Sequence, residues 1–148
     1  MIYIDTSVIV KLYIKEDYSR EASDWLKANN EAIPLTRLHE LEFINAIQLK
    51  KSRNEIPPEQ ADQIISKLDE HEKKGIYFRP LLDWSSIFNN AINISRKHTS
   101  ITGSRSLDIL HVAAALTIST DGFLTLDEKQ SLLAASAGLK IEKLTQKP

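Results

Sequence analysis

Along the whole chain, short apolar runs of β type alternate with longer helical segments, and this alternation narrows the fold more than any single motif does. Ile2-Tyr3-Ile4 is a strand, and Asp5-Thr6-Ser7 then supplies capping chemistry for a helix to about Glu16. A helix over 18–29, a brief strand over 32–35 and a strongly helical stretch over 36–53 follow. Pro57-Pro58 opens a helix that reaches Lys74 and stops at Gly75, and 76–82 is an ambiguous segment, a strand interrupted by Pro80. After a helix over 83–98, the polar stretch 99–105 with its Gly103 reads as a surface loop. The segment LDILHVAAALTI is a helix apolar around most of its circumference, as expected for one packed on more than one side. Asp121-Gly122 then turns into a strand over 123–126, a helix over 127–137 stopped by Gly138, and a last strand over 139–144. Strands separated by helices predict an α/β fold with a mostly parallel sheet, and in such sheets sites form beyond the C-terminal strand ends.

With 148 residues and no repeat or linker, the sequence predicts one domain over 1–148. Its 19 Lys and Arg against 20 Asp and Glu leave a net charge of −1, so a nucleic-acid grip has to come from local basic patches. Candidates are Lys50-Lys51-Arg53, Lys73-Lys74-Arg79, and Arg96-Lys97-His98 with Arg105. Solvated helix ends are the favoured reading of the first two. The absence of cysteine excludes disulfides and thiolate metal sites, leaving carboxylate, imidazole or carbonyl as ligands. The first residues have neither a basic lead nor a small-residue cleavage site, so a soluble protein of the cytoplasm, without membrane contact, is expected.

Four acids stand out. Asp5 follows the first strand and Asp127 a later one, so a parallel sheet brings both to the same edge; each would also serve as an N-cap. Asp108 lies in the first turn of an otherwise apolar helix, where a lone carboxylate is costly, with a cap behind Ser106 as the plainer reading. It shares a stripe with His111, read as a buried histidine with a hydrogen-bonded partner rather than a metal ligand. Glu42 sits on a helix with apolar groups on most sides, but so does Glu40, and helical projection does not separate them. Two carboxylates about 4 Å apart repel by roughly 4 kcal/mol at an effective dielectric of 20. A divalent ion reverses that sign, and Mg²⁺ takes oxygen ligands of this kind.

The segments MIYIDTSVIVKLY, HELEFINAI, RSLDILHVAAAL and FLTLDEKQSLLAASAGLKI, in this order, resemble the PIN-domain nucleases, and among them the VapC-type toxins of toxin-antitoxin pairs, over essentially the whole chain. The resemblance implies a three-layer α/β/α sandwich around a central, mostly parallel sheet, and endonucleolytic RNA cleavage dependent on Mg²⁺ or Mn²⁺. It implies Asp5, Glu42, Asp108 and Asp127 as the catalytic acids, with Glu42 preferred over Glu40 because it precedes the pattern x-x-Asn-Ala. Asp5 and Asp108 are then the principal metal ligands, metal-activated water is the nucleophile, and Thr6 and Thr125 match hydroxyl positions that orient the site. Arg105, close to Asp108 in sequence, is the candidate for substrate contact. A cognate antitoxin protein and a homodimer are the implied partners besides RNA. The competing reading is a catalytically weak PIN module that binds RNA or a protein. A receiver-type phosphotransfer domain fits poorly, because Thr6 and Ser7 stand where a second acid is needed.

Overall fold

In the computed structural model, residues 1–144 are described, and helices alternate with short strands in the order β1 (Ile2–Ile4), α1 (Thr6–Lys11), α2 (Ser19–Ala28), β2 (Ile33–Pro34), α3 (Arg37–Ser52) and α4 (Pro58–Lys73). There follow β3 (Tyr77–Phe78), α5 (Trp84–Thr102), α6 (Ser106–Ile118), β4 (Gly122–Leu124), α7 (Glu128–Ser136) and β5 (Ile141–Glu142). Every strand pairing is parallel: β1-β4-β5 form one sheet and β2-β3 another. The α/β class and parallel pairing expected from the alternation are therefore what the chain adopts.

The chain divides into two compact units, one of Met1–Asp5 with the described residues from Pro80 onward, the other of Thr6–Arg79. In the first, β1 and β4 are so deeply buried that Tyr3, Ile4, Phe123 and Leu124 expose nothing to solvent. The Tyr3 ring stacks on Phe123 with centroids 5.5 Å apart. Burying each such side chain contributes about 1.5–3 kcal/mol. Gly122 lies opposite Ile2 in the register, and a Cβ there would stand 3.0 Å from the Ile2 Cδ1 atom, so a larger residue would make the Ile2 side chain give way by a few tenths of an ångström. Helix α6 buries Val112, Ala113, Ala114 and Ala115 completely, and its small residues allow close packing with α5 and α7.

In the second unit α3 packs on α1 and α4. Its start is set by Thr36, whose hydroxyl accepts from the His39 backbone N–H at 3.3 Å while the Thr36 N–H donates to His39 Nδ1 at 3.0 Å. His39 is thereby a structural cap. Arg79 donates to Glu72 at 2.9 and 3.0 Å and to Glu40 at 2.7 Å, fastening the chain after β3 to α4 and α3.

Three boundaries differ from the sequence expectation. Helix α1 ends at Lys11 rather than near Glu16, and Ser19 turns its hydroxyl to the Ile14 carbonyl, so the intervening residues form turns. The expected surface loop over 99–105 is mostly helix: α5 runs on to Thr102, which is buried and whose hydroxyl donates to the His98 carbonyl. Gly103, at φ 64°, then caps that helix by donating to the Thr99 carbonyl. Packing of Thr102 outweighs the weak helix propensity of the polar stretch. The strand expected over 139–144 is paired only at Ile141–Glu142.

Candidate active site

Parallel pairing places the first acid. The Asp5 N–H donates to the Leu124 carbonyl at 2.8 Å, so Asp5 is the last sheet-bonded residue of its strand, and Asp127 follows the end of the neighbouring β4 by three positions. Both acids emerge at the C-terminal end of the sheet, as the topology requires. Asp127 also caps α7, its Oδ1 accepting from the Gln130 N–H at 2.9 Å. The capping role and a place at the sheet edge coexist because a carboxylate has a second oxygen.

Asp108 occupies the third position of α6, and the residue at the cap is Arg105, not Ser106, which is already helical. Asp108 Oδ2 accepts from the Arg105 backbone N–H and from its Nε, both at 3.2 Å. The Arg105 guanidinium also lies 3.8 Å from Asp127 Oδ2. Its pKa is raised by the hydrogen bond it donates to Asp108, then by the charges of Asp108, Asp127 and Asp5. Two of the sequence-predicted acids, Asp108 and Asp127, thus pair with one cation. Arg105, Asp108 and Asp127 line an open pocket with Lys129, and Arg105 is 79% exposed there while Asp108 is 13% exposed.

Asp5 is held from the buried side. Gln130, fully buried, donates its side-chain Nε2 to Asp5 Oδ1 at 3.0 Å. His111 Nε2 lies 3.7 Å from the same oxygen, and its Nδ1 pairs with the Tyr3 hydroxyl at 2.8 Å. The expected buried and partnered histidine is therefore what α6 contains. Thr125 donates its hydroxyl to Gln130 Oε1 at 2.5 Å and accepts from the Asp127 N–H at 3.0 Å.

In the unit of Thr6–Arg79, the Thr6 hydroxyl donates to Glu42 Oε1 at 2.8 Å. Glu40 instead binds Arg37 at 2.9 Å and Arg79 at 2.7 Å, and these two guanidiniums hold its carboxyl below the usual range. The two glutamates therefore differ in their partners, a hydroxyl for Glu42 and two guanidiniums for Glu40. Basic residues divide in the same way: Lys50 pairs with Glu16 and Glu55, and Arg79 with Glu72 and Glu40, whereas Arg96 and Lys97 are exposed on α5.

Gln130 escaped the sequence reading. Its signal was the pattern Asp127-x-x-Gln130, an ordinary capping-box signature that points to a helix start and not to a site.

The PIN domain family model matches residues 2–136. The chain belongs to the PIN domain family. No curated protein sequence matches it. Among solved structures, this PIN domain is similar to FitAcB from Neisseria gonorrhoeae, with a TM-score of 0.65 at 16% identity over 95% of this chain and 96% of that one. It is also similar to VapC20 from Mycobacterium tuberculosis, described as a sarcin-ricin loop cleaving toxin, with a TM-score of 0.68 at 12% identity over 94% and 96% of the two chains. At such identities these likenesses establish the shared PIN fold.

By donor chemistry alone, the carboxylates of Asp5, Asp108 and Asp127 suit a hard divalent cation, which prefers oxygen ligands, keeps several waters and takes only one or two carboxylates directly. Among the described residues no three acidic or histidine side chains stand at metal-binding spacing, and the Arg105 guanidinium pairs with both Asp108 and Asp127.

Proposed function

We propose that this PIN domain is a metal-dependent endoribonuclease, the toxin of a type II toxin-antitoxin pair. The observation that carries the reading is the convergence of Asp108 and Asp127 on the single Arg105 guanidinium, at 3.2 and 3.8 Å, since carboxylates that jointly favour one cation can favour another. Family membership and the likeness to VapC20, a toxin that cleaves RNA by its description, support it.

Asp5 and Asp108 would hold Mg²⁺ or Mn²⁺, with Glu42 and Asp127 as further catalytic acids. The ion supplies positive charge for the phosphate in the transition state and a lowered pKa for water. The chain's own part is orientation. Gln130 and His111 keep Asp5 in place, and Thr6 holds Glu42. Arg105, exposed at the pocket, would donate to a phosphate oxygen. Hydrolysis forms a bond from water oxygen to phosphorus and breaks the bond to the 3′ oxygen, which takes a proton, leaving a 5′-phosphate and a 3′-hydroxyl. The cognate antitoxin and a second copy of the chain are the expected protein partners, in the cytoplasm.

The test is incubation of the purified protein with structured RNAs in Mg²⁺, in Mn²⁺ and with chelator. Cleavage that needs the ion and disappears in Asp5→Asn is the expected result, and cleavage undiminished by chelator would overturn the reading. One observation favours the competing view, an RNA- or protein-binding PIN module without turnover: no ready-made acidic cluster exists among the described residues. That view predicts RNA binding with no cleavage in either ion, and growth inhibition unchanged by Asp5→Asn.

A further inference from the structure

We propose that Gln130 is a positioning residue of this site, its buried side-chain amide fixing the Asp5 carboxylate and linking it to Asp127. The inference rests on the metal-dependent reading above and adds to it a residue that no motif designates.

In an ordinary capping box the glutamine three residues after the N-cap reaches back to the N-cap backbone N–H. Here that N–H, of Asp127, is taken by the Thr125 hydroxyl at 3.0 Å. Gln130 is relieved of its usual partner. Only its backbone N–H still serves the cap, donating to Asp127 Oδ1 at 2.9 Å, while its side chain turns to Asp5, 125 positions away in the sequence.

The amide has one consistent orientation. An ionised carboxylate only accepts, so the NH₂ group must face Asp5. The Thr125 hydroxyl, donating to Oε1, holds it in that sense. A flipped amide would set its oxygen against the Asp5 carboxylate and leave the Thr125 proton unsatisfied. With no exposure to solvent, Gln130 also has no water to replace either partner.

A neutral amide suits this task better than a cation would. Lysine or arginine at the same place would hold Asp5 equally well but would cancel the charge that attracts a metal ion. Gln130 orients the carboxylate and leaves its charge intact. Because the same residue caps against Asp127, a shift of the α7 start moves both acids together.

The experiment measures Mn²⁺ binding by calorimetry, below the melting temperature of each variant, in the full chain and in Gln130→Met and Thr125→Val. Gln130→Met preserves volume and removes both amide hydrogen bonds; Thr125→Val retains the amide but removes the hydroxyl that orients it. Expected is a loss of Mn²⁺ affinity of about ten- to a hundredfold in Gln130→Met, with a smaller loss in Thr125→Val. RNA cleavage should lose kcat at limiting Mn²⁺ and recover it at saturating Mn²⁺, whereas a smaller folded fraction alone would lower kcat at unchanged KM at every Mn²⁺ concentration. A folded Gln130→Met with wild-type Mn²⁺ affinity overturns the proposal, and if that variant does not fold, wild-type affinity in Thr125→Val does so. If the unmodified chain itself binds no Mn²⁺, the metal-dependent reading falls first and this inference with it.

Discussion

The Thr6 hydroxyl donates a 2.8 Å hydrogen bond to Glu42, and Thr6 is the residue that follows Asp5 in the chain. This bond separates Glu42 from its neighbour Glu40, whose carboxylate is occupied by Arg37 and Arg79. Glu42→Gln should lower the rate of RNA cleavage by about ten- to a hundredfold, with the melting temperature little changed. Glu40→Gln should leave the rate within error and instead reduce stability by at most about 1 kcal/mol, because the ion pairs it breaks are partly solvated. Urea unfolding and single-turnover cleavage of both variants check the pair. Equal rate losses in the two would contradict the assignment.

Arg105 neutralises Asp108 and Asp127 while remaining largely exposed. An internal cation competes with an external one, so Arg105→Gln should tighten Mn²⁺ binding several-fold. The same change removes a phosphate contact, so the KM for RNA should rise and the salt dependence of RNA binding should become shallower by about one unit of log–log slope. Opposite movements of metal and RNA affinity are the signature. If the variant loses metal affinity, Arg105 holds the acids together rather than competing for them.

In the unit of Thr6–Arg79, Tyr13 joins its hydroxyl to His71 Nδ1 at 2.7 Å and to the Tyr77 hydroxyl at 3.3 Å. Burial, then the charges of Lys67 and Lys74, push the His71 pKa below its ordinary 6.5, and Glu70 opposes them. The folded state therefore binds the proton less readily than the unfolded chain. The His71 contribution to stability is fully present above about pH 6.5 and is lost as the pH falls toward the lowered folded value. Melting temperatures at pH 7.5 and 5.5 should show a decline that is smaller in His71→Gln. An equal decline in the variant would place the effect elsewhere.

Gly103 ends α5 at φ 64°, and a Cβ there would find only the Lys129 side chain at 3.9 and 4.0 Å. The cost of Gly103→Ala is therefore backbone strain rather than a clash, about 1–2 kcal/mol for the left-handed conformation. Thermal melting should fall by about 2–8 °C. No change would mean that the α5 end relaxes to another cap.

Much of this protein is written in short-range patterns. The apolar run before Asp5, the apolar segment before Asp127 and the helical periods between them are local, and with parallel pairing they suffice to bring two acids to one sheet edge. The burial of α6 and the partnered state of His111 were equally legible, because a helix apolar on nearly every side has to lie in the core. Tertiary structure alone decided which partner each polar group takes. Glu40 and Glu42 look alike on a helix until Arg79 arrives from beyond β3 to claim one of them. Thr102 is helical because it is buried, not because its neighbourhood favours helix. Gln130 carries the sequence mark of a helix cap, yet Thr125 fills that role and frees the amide for Asp5. Hydrogen bonds and charge interactions depend on distance through space, and distance along the chain does not reveal it.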